Sequence, residues 1–275
     1  MEQILSMKKA RPPEPAREAS AAVALRAVCV EFEHSDGTTQ RVLRGVDLEV
    51  PRGQFIALVG RSGGGKTTIL NVITGLVAPA SGSVEVLGCD PVTARARMGL
   101  IPARDALLPW RTAIRNVEYG LELRGMPRAK RRAKAEKYLG QLGLAGAATR
   151  WPWQLSQGMR QRVALARAWA LEPALLLMDE PFAALDAETR ETVRAEFRSL
   201  LHDGAQRTVV LVTHDLEEAA ILADRVVVLS GGRLAADVRV PKALRHDPEG
   251  IETARERAEF IQNLRAALRN DGAPA

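Results

Sequence analysis

The order of apolar and polar positions along this chain marks out strand-like and helix-like stretches that alternate over most of its length. Residues 25–32 and 42–50 carry β-branched and aromatic residues around the turn-forming Ser35, Asp36 and Gly37, which predicts a hairpin-like start. Phe55, Ile56, Ala57, Leu58 and Val59 form a continuous apolar run, the pattern of a strand buried on both faces. Thr67, Ile69, Leu70, Val72, Ile73 and Leu76 then recur at helical steps, predicting a helix over 67–76. From 112 to 143 helical spacing combines with Arg128, Lys130, Arg131, Arg132, Lys134 and Lys137, which predicts an inserted helical subdomain. A helix over 156–171, stopped by Pro173, and a buried strand over 174–178 follow. Helix 187–201, strand 208–212, helix 216–223 and strand 226–229 complete an alternating α/β pattern. Near the end, Ile251, Ala254, Ala258, Ile261, Leu264 and Leu268 predict an amphipathic helix docked on its own domain, or else a dimer or regulatory contact.

Composition narrows the class. With 275 residues, 46% hydrophobic and 26% charged, the chain can bury a full core in one large or two modest domains, and it is not a disordered protein. Lys and Arg number 39 against 33 Asp and Glu, a net +6 that admits an anionic partner, although a solvated Arg-rich surface is the simpler reading. Cys29 and Cys89 are far apart and lack metal-ligand spacing, against a disulfide framework or zinc site and in keeping with a reducing compartment. The first residues carry Lys8, Lys9 and Arg11 with Pro12, Pro13 and Pro15 but no apolar core, so they read as a loose tail and not a secretory signal. No apolar run approaches the roughly 18 residues that span a bilayer. Any membrane role is therefore expected to come through another subunit.

The chemistry gathers in four places. Gly60, Arg61, Ser62, Gly63, Gly64, Gly65, Lys66, Thr67 and Thr68 form a phosphate loop between a strand and a helix. Its glycines let backbone amides approach phosphate oxygens, Lys66 supplies a point charge for the terminal phosphates, and Thr67 is placed to offer its hydroxyl to Mg²⁺. Leu155, Ser156, Gln157, Gly158 and Met159 make a second glycine-bearing turn into a helix, again an anion-ready N-terminus. With a single phosphate loop in the chain, the expectation is one nucleotide per chain, shared with a partner. Asp179 and Glu180 sit at the carboxyl end of a buried strand, where open α/β sheets place ligands. Asp179 would hold Mg²⁺ or its water, Glu180 would polarise the attacking water, and His214, after another strand, is placed for a γ-phosphate contact.

In this order the motifs resemble the ATP-binding subunit of an ABC transporter over about residues 25–234. Residues 155–159 resemble the signature, Asp179 and Glu180 the Walker B end, Ala184, Leu185 and Asp186 the D-loop, and His214 the switch histidine. The resemblance implies a P-loop NTPase core with an N-terminal antiparallel β subdomain and an inserted α-helical subdomain. It also implies a head-to-tail dimer that sandwiches two ATP molecules. Each would lie between the phosphate loop of one chain and Ser156, Gln157, Gly158 and Asp186 of the other. Phe32 matches the aromatic that stacks on adenine, with a core phenylalanine as the competing reading.

Leu107, Leu108, Pro109, Trp110 and Arg111, then Asn116 and Val117, then residues 181–186, are similar to the nitrate, sulfonate and taurine importer group. This similarity implies import of a small oxyanion delivered by a periplasmic solute-binding protein. Pro109 and Trp110 would lie near the groove for the permease's coupling helix, or else pack in the domain's own core. One departure stands out: Pro102 and Ala103 occupy the place where family members carry Phe and Gln, and alanine cannot contact Mg²⁺ or water as that Gln does. The expected organisation is a tail over 1–22, an ATPase domain over 23–240 with its helical subdomain at about 104–172, and a helical tail over 241–275. The expected cofactors are ATP and Mg²⁺. The expected partners are a transmembrane permease and a second ATP-binding subunit, with no nucleic acid, at the cytoplasmic face of the cell membrane. A soluble ABC-type ATPase acting on nucleic acid or ribosomes and a low-turnover nucleotide-binding regulator are the alternatives.

Overall fold

The computed structural model describes residues 21–33, 35, 37–201, 207–246 and 251–269; the predicted loose tail over 1–20 and Asp36 of the predicted turn lie outside them. In chain order the elements are β1 (Ala21–Glu33), β2 (Thr39–Pro51), β3 (Phe55–Gly60), α1 (Lys66–Ile73), β4 (Ser81–Val86), α2 (Pro91–Ala94) and β5 (Met98–Ile101). Next come α3 (Ala113–Leu123), α4 (Arg128–Gln141), α5 (Gln157–Trp169), β6 (Leu175–Asp179), α6 (Ala187–Leu201) and β7 (Thr208–Thr213). The last are α7 (Leu216–Leu222), β8 (Arg225–Ser230), β9 (Arg233–Arg239), α8 (Lys242–His246) and α9 (Ile251–Arg269).

Two sheets form. β1 pairs antiparallel with β2 on one side and β4 on the other, and the register Val23↔Val50, Leu25↔Leu48 and Val30↔Leu43 keeps apolar residues facing one another. The larger sheet has the order β5-β6-β7-β3-β8-β9, parallel except for β9, which returns antiparallel beside β8.

The central strands are apolar throughout because each feeds two cores at once. Ile56 and Leu58 of β3, Leu175 and Leu177 of β6, and Val210 and Val212 of β7 point into a core shared with α1 and the antiparallel sheet. Their alternating neighbours Ala57, Val59, Leu176, Met178, Val209 and Leu211 enter a second core built with the helices. Each such Leu or Val contributes about 1.5–3 kcal/mol of transfer free energy, which fixes the sheet that carries the loops at its edge.

Two helices stop short of their expected ends. α1 stops at Ile73 and not at residue 76: Gly75 takes φ +67°, its N–H reaches the Val72 carbonyl at 3.0 Å, and the Leu76 N–H reaches that of Asn71 at 2.8 Å. That is a Schellman closure, and it leaves Leu76 62% exposed. α5 runs over 157–169 with Ser156 as its cap, shorter than the expected 156–171, and Glu172 follows in the left-handed region at φ +47°. At the chain's end, α9 lays Phe260, Ile261 and Leu264 into the helix-side core against α7, α8 and β8, so it docks on its own domain. No helix among the described residues is long and apolar enough to cross a membrane.

Candidate functional site

β3 lies between β7 and β8 and runs straight into the glycine loop, so the loop opens at the carboxyl edge of the parallel sheet. Two glycines there have no room for a side chain. A Cβ on Gly60 would sit 2.5 Å from the Leu229 carbonyl oxygen, and one on Gly65, at φ +95°, would sit 2.8 Å from Leu43 Cδ2. Gly65 also caps α1, whose first turn holds no acidic residue, so the amides at this helix start remain suited to an anion. Arg61, Ser62, Gly63 and Thr67 are exposed, Gly64 and Thr68 half-buried, and Lys66 only 5% exposed. The Lys66 ammonium donates to the carbonyls of Gly60 and Arg61, both at 2.9 Å. Burial pushes its pKa down, and the carboxylates of Glu180 and Asp179 oppose that shift.

The acids and the histidine arrive from neighbouring strands. β6 ends at Asp179, whose register partner is Val212 on β7, so Glu180 stands beside the end of β7 and beside His214. Oε2 of Glu180 lies 3.1 Å from Nδ1 of His214, and the Glu180 N–H donates to the Val212 carbonyl at 2.8 Å. Glu180 holds φ +45°, a strained conformation for a side chain of this size and one that clusters at functional sites. Thr67 Oγ1 donates to the Asp179 carboxylate at 3.2 and 3.3 Å. Burial pushes the Asp179 carboxyl up; the Thr67 hydroxyl counters this, the Glu180 charge adds to it, and Lys66 opposes it. Residues 60–68, Asp179, Glu180 and His214 thus meet at the ends of three adjacent strands.

The signature-like turn is elsewhere. Ser156 is the N-cap of α5, and its hydroxyl accepts the Met159 N–H at 3.3 Å. Ser156 and Gln157 are exposed, whereas Gly158 is buried so tightly that a Cβ would fall 2.3 Å from Thr189 Cγ2 on α6. Asp186 caps α6 by accepting the Thr189 N–H at 2.9 Å, and that bond holds its carboxyl below the usual range. Neither Ser156 nor Asp186 hydrogen-bonds to residues 60–68 within the described chain. The phosphate loop and the signature turn are therefore two separate helix starts, each complete in its own packing.

Known proteins resemble the chain that carries this arrangement. The family model described as ABC transporter matches residues 43–183. The chain belongs to the ABC transporter family. It is similar to the taurine import ATP-binding protein TauB of Pseudomonas entomophila, 44% identical over an alignment of 234 residues that covers 79% of this chain and 88% of the relative. An ABC transporter ATP-binding protein of Methanocaldococcus jannaschii is 40% identical over 232 residues, 84% of this chain and 86% of that protein. Among solved structures, a dimeric ATP-binding cassette in a post-hydrolysis state bound to ADP and Pi superposes with a TM-score of 0.72 at 31% identity. That match covers 80% of this chain and 99% of the cassette. The chain is thus an ATP-binding, ATP-hydrolysing cassette.

Other parts of the cassette bear on the expected roles. Phe32 is 41% exposed on β1, paired in register with Gln40 of β2, and Val42 and Leu43 of β2 touch the loop at Gly65. It is an exposed ring and not a core residue. Trp110 is 69% exposed, which excludes core packing for it. A cleft of about 480 Å³ is lined by Trp110, Arg111, Thr112, Arg115 and Trp151, and Trp151 stacks on Trp153 with ring centroids 5.1 Å apart. Ala103 is exposed just beyond β5.

The segment after Ala103 is tied to α5 by two arginines that sequence reasoning did not single out. Arg160 pairs with Asp105 at 3.0 Å and donates to the Leu155 carbonyl at 2.8 Å. Arg167 donates to the carbonyls of Ala106 at 2.7 Å and Asp105 at 2.9 Å, and burial pushes its own pKa down. A sequence offers no sign of which carbonyls an arginine will reach. The basic stretch of α4 in part neutralises itself through Arg132 with Glu136 and Lys134 with Glu172, as a solvated helix face does.

Proposed function

We propose that this cassette is the energy-coupling subunit of an importer for a small oxyanion of the sulfonate, taurine or nitrate class. It binds MgATP, pairs head-to-tail with a second ATP-binding subunit, and hydrolyses ATP to reset a partner membrane permease. The observation that carries the reading is the α5 start. Among the described residues, exposed Ser156 and Gln157 and buried Gly158 make no hydrogen bond to the phosphate loop, which leaves this anion-ready turn open to a nucleotide held by another chain. The dimeric cassette of similar fold and the taurine import relatives support it.

In this reading the amides of residues 60–68 and the Lys66 ammonium grip the phosphates, and Phe32 stacks on the adenine. Glu180 orients a water and takes its proton as the oxygen bonds to the γ-phosphorus and the bond to the β-phosphate oxygen breaks. His214 steadies Glu180 through the 3.1 Å contact and faces the γ-phosphate. Thr67 and Asp179 would hold Mg²⁺: their oxygens already converge, and hard oxygen donors suit that ion. Among the described residues no three His, Cys, Asp or Glu side chains form a cage, as fits an ion that keeps waters and phosphate oxygens for its other ligands. The bound ion would neutralise charge on the β- and γ-phosphates.

We take residues 23–240 as the ATPase domain, with the helices of 104–172 turned toward the permease at the cytoplasmic membrane face and 241–275 as a helical extension. The cleft at Trp110 would receive the permease's coupling helix, and a periplasmic binding protein would deliver the solute.

The test is to assemble the cassette with its permease and binding protein and to measure uptake and ATPase stimulation by taurine, aliphatic sulfonates and nitrate. Glu180→Gln should stop hydrolysis while ATP-driven dimers accumulate, and Ser156→Ala should weaken those dimers while sparing ATP binding by the monomer. Loss of monomer binding in Ser156→Ala, or retention on RNA or DNA without any permease, overturns the reading. A low-turnover regulator is the second reading, favoured by the bare methyl of Ala103. Turnover abolished by Glu180→Gln excludes it.

A further inference from the structure

One buried acid has no part in the chemistry above. Glu218 lies in the first turn of α7, 2% exposed, and its Oε2 accepts a 2.7 Å hydrogen bond from Thr213 Oγ1. The same hydroxyl accepts the Asp215 N–H at 3.0 Å. Its single proton is therefore committed to Glu218, and the rotamer of Thr213 is fixed from both sides. Thr213 ends β7, and the next residue is His214, in contact with Glu180. The carboxyl thus holds the turn 213–215 that presents the histidine.

The charged groups that act on Glu218 come from two sides. Asp215, the α7 cap whose Oδ1 takes the Glu217 and Glu218 amides, carries like charge. Arg194 and Arg190 of α6 carry the opposite charge. Arg190 itself donates to the carbonyls of Phe182 and Leu185, in the loop that follows Glu180. Arg194 Nη1 is buried without a hydrogen-bond partner among the described residues. β3, β7, α8 and α9 also pack on α7, and they meet it in the apolar core through Ala57, Leu211, Leu244, Phe260 and Ile261. Glu218 therefore stands between the turn that carries His214 and the α6 arginines, of which Arg190 holds the loop after Glu180.

We propose that Glu218 is a positioning residue for hydrolysis: its ionised carboxylate locks Thr213 and so holds His214 against Glu180, and loss of that charge slackens the pair. The inference rests on the assignment of Glu180 and His214 to ATP hydrolysis. Burial pushes the Glu218 carboxyl up to about 7; the Thr213 bond opposes this, Asp215 adds to it, and the two arginines oppose it. The lock is then engaged above neutrality and released below it.

The test measures kcat and KM for MgATP on the full chain from pH 6 to 8.5. The unaltered chain should gain activity on a limb with its midpoint near 7. Glu218→Gln should flatten that limb and lower kcat at pH 8 about 10-fold, the scale of a small misplacement of a reacting group, with KM changed less than about 2-fold. Thr213→Val, which removes only the hydroxyl, should flatten it likewise, and Glu218→Asp should restore part of it. The His214 imidazole resonance, assigned with His214→Ala, should shift in Glu218→Gln at pH 8. An unchanged limb in both Glu218→Gln and Thr213→Val overturns the proposal. If Glu180→Gln keeps turnover, the underlying assignment fails instead; if it abolishes turnover while the limb persists in Glu218→Gln and Thr213→Val, this proposal alone fails.

Discussion

Thr67 Oγ1 lies 3.2 Å from Oδ2 of Asp179, although 112 residues separate the two in the chain. The meeting joins the helix start after the phosphate loop to the end of β6 and gives two oxygens to one point. Asp179→Asn should therefore cut Mg²⁺-dependent turnover by about 10² and raise the Mg²⁺ concentration needed for half activity. ATP binding in EDTA should be unchanged. Because burial disfavours the Asp179 charge, the melting temperature should hold or rise. A fall in EDTA-resistant ATP binding would contradict the placement.

Gly158 has a packing reason to be glycine besides any contact with nucleotide. A Cβ there meets Thr189 Cγ2 at 2.3 Å, so α5 and α6 must part or Thr189 must change rotamer. Gly158→Ala is expected to destabilise the monomer by about 1–3 kcal/mol, as overpacking does. Adding Thr189→Ala should recover most of that loss in thermal unfolding. Dimerisation assays on Gly158→Ala alone would then mix fold and function, and because Ser156→Ala removes a cap worth about 0.5–2 kcal/mol, its dimerisation is to be read beside its own thermal unfolding.

Ala103 and the arginines beyond it make a separable pair of effects. The methyl offers no polar atom at the end of β5, so Ala103→Gln should raise permease-stimulated turnover, by up to about 10² if a water-positioning group is restored. Arg167→Ala instead strips two carbonyls, those of Asp105 and Ala106, of their donor. It should cost about 2–4 kcal/mol of stability. Permease stimulation is expected to fall more than basal turnover, because the loosened segment joins the Trp110 cleft to α5. An equal fall in both rates would count against that link.

The parts of this cassette that could be read from sequence are those whose reason is local. β3, β6 and β7 bury both faces, so Phe55, Leu176 and Val210 stand in unbroken apolar runs. β4, β5 and β9 lie at sheet edges, where Glu85, Leu100 and Asp237 face outward, and the pattern hid them. Leu76 extended an apolar periodicity that Gly75 had already ended by its backbone conformation. The glycine loop, Asp179, Glu180 and His214 were legible from type and order, because each stands at the end of a strand. The hydrogen bond of Thr213 to Glu218 and the pairing of Asp105 with Arg160 depend on tertiary meetings that no spacing encodes.

Glu218 also sets an expectation for stability that runs against the one for rate. Its carboxyl is raised by folding from 4.5 to about 7, so the folded chain holds the proton more tightly than the unfolded chain. The contribution to stability is present below the unfolded value and is lost as pH rises through the folded one, because between them only the unfolded state ionises freely. Glu218→Gln removes a charge that the fold disfavours. Its melting temperature should match the unaltered chain near pH 5 and exceed it increasingly toward pH 8, by at most ~3 kcal/mol in stability. The same variant is expected to turn over more slowly at pH 8, so stability and rate should move in opposite directions. A Glu218 that mattered to the fold alone would show the same gain in melting temperature with kcat at pH 8 unchanged, and parallel scans of melting temperature and kcat against pH distinguish the two.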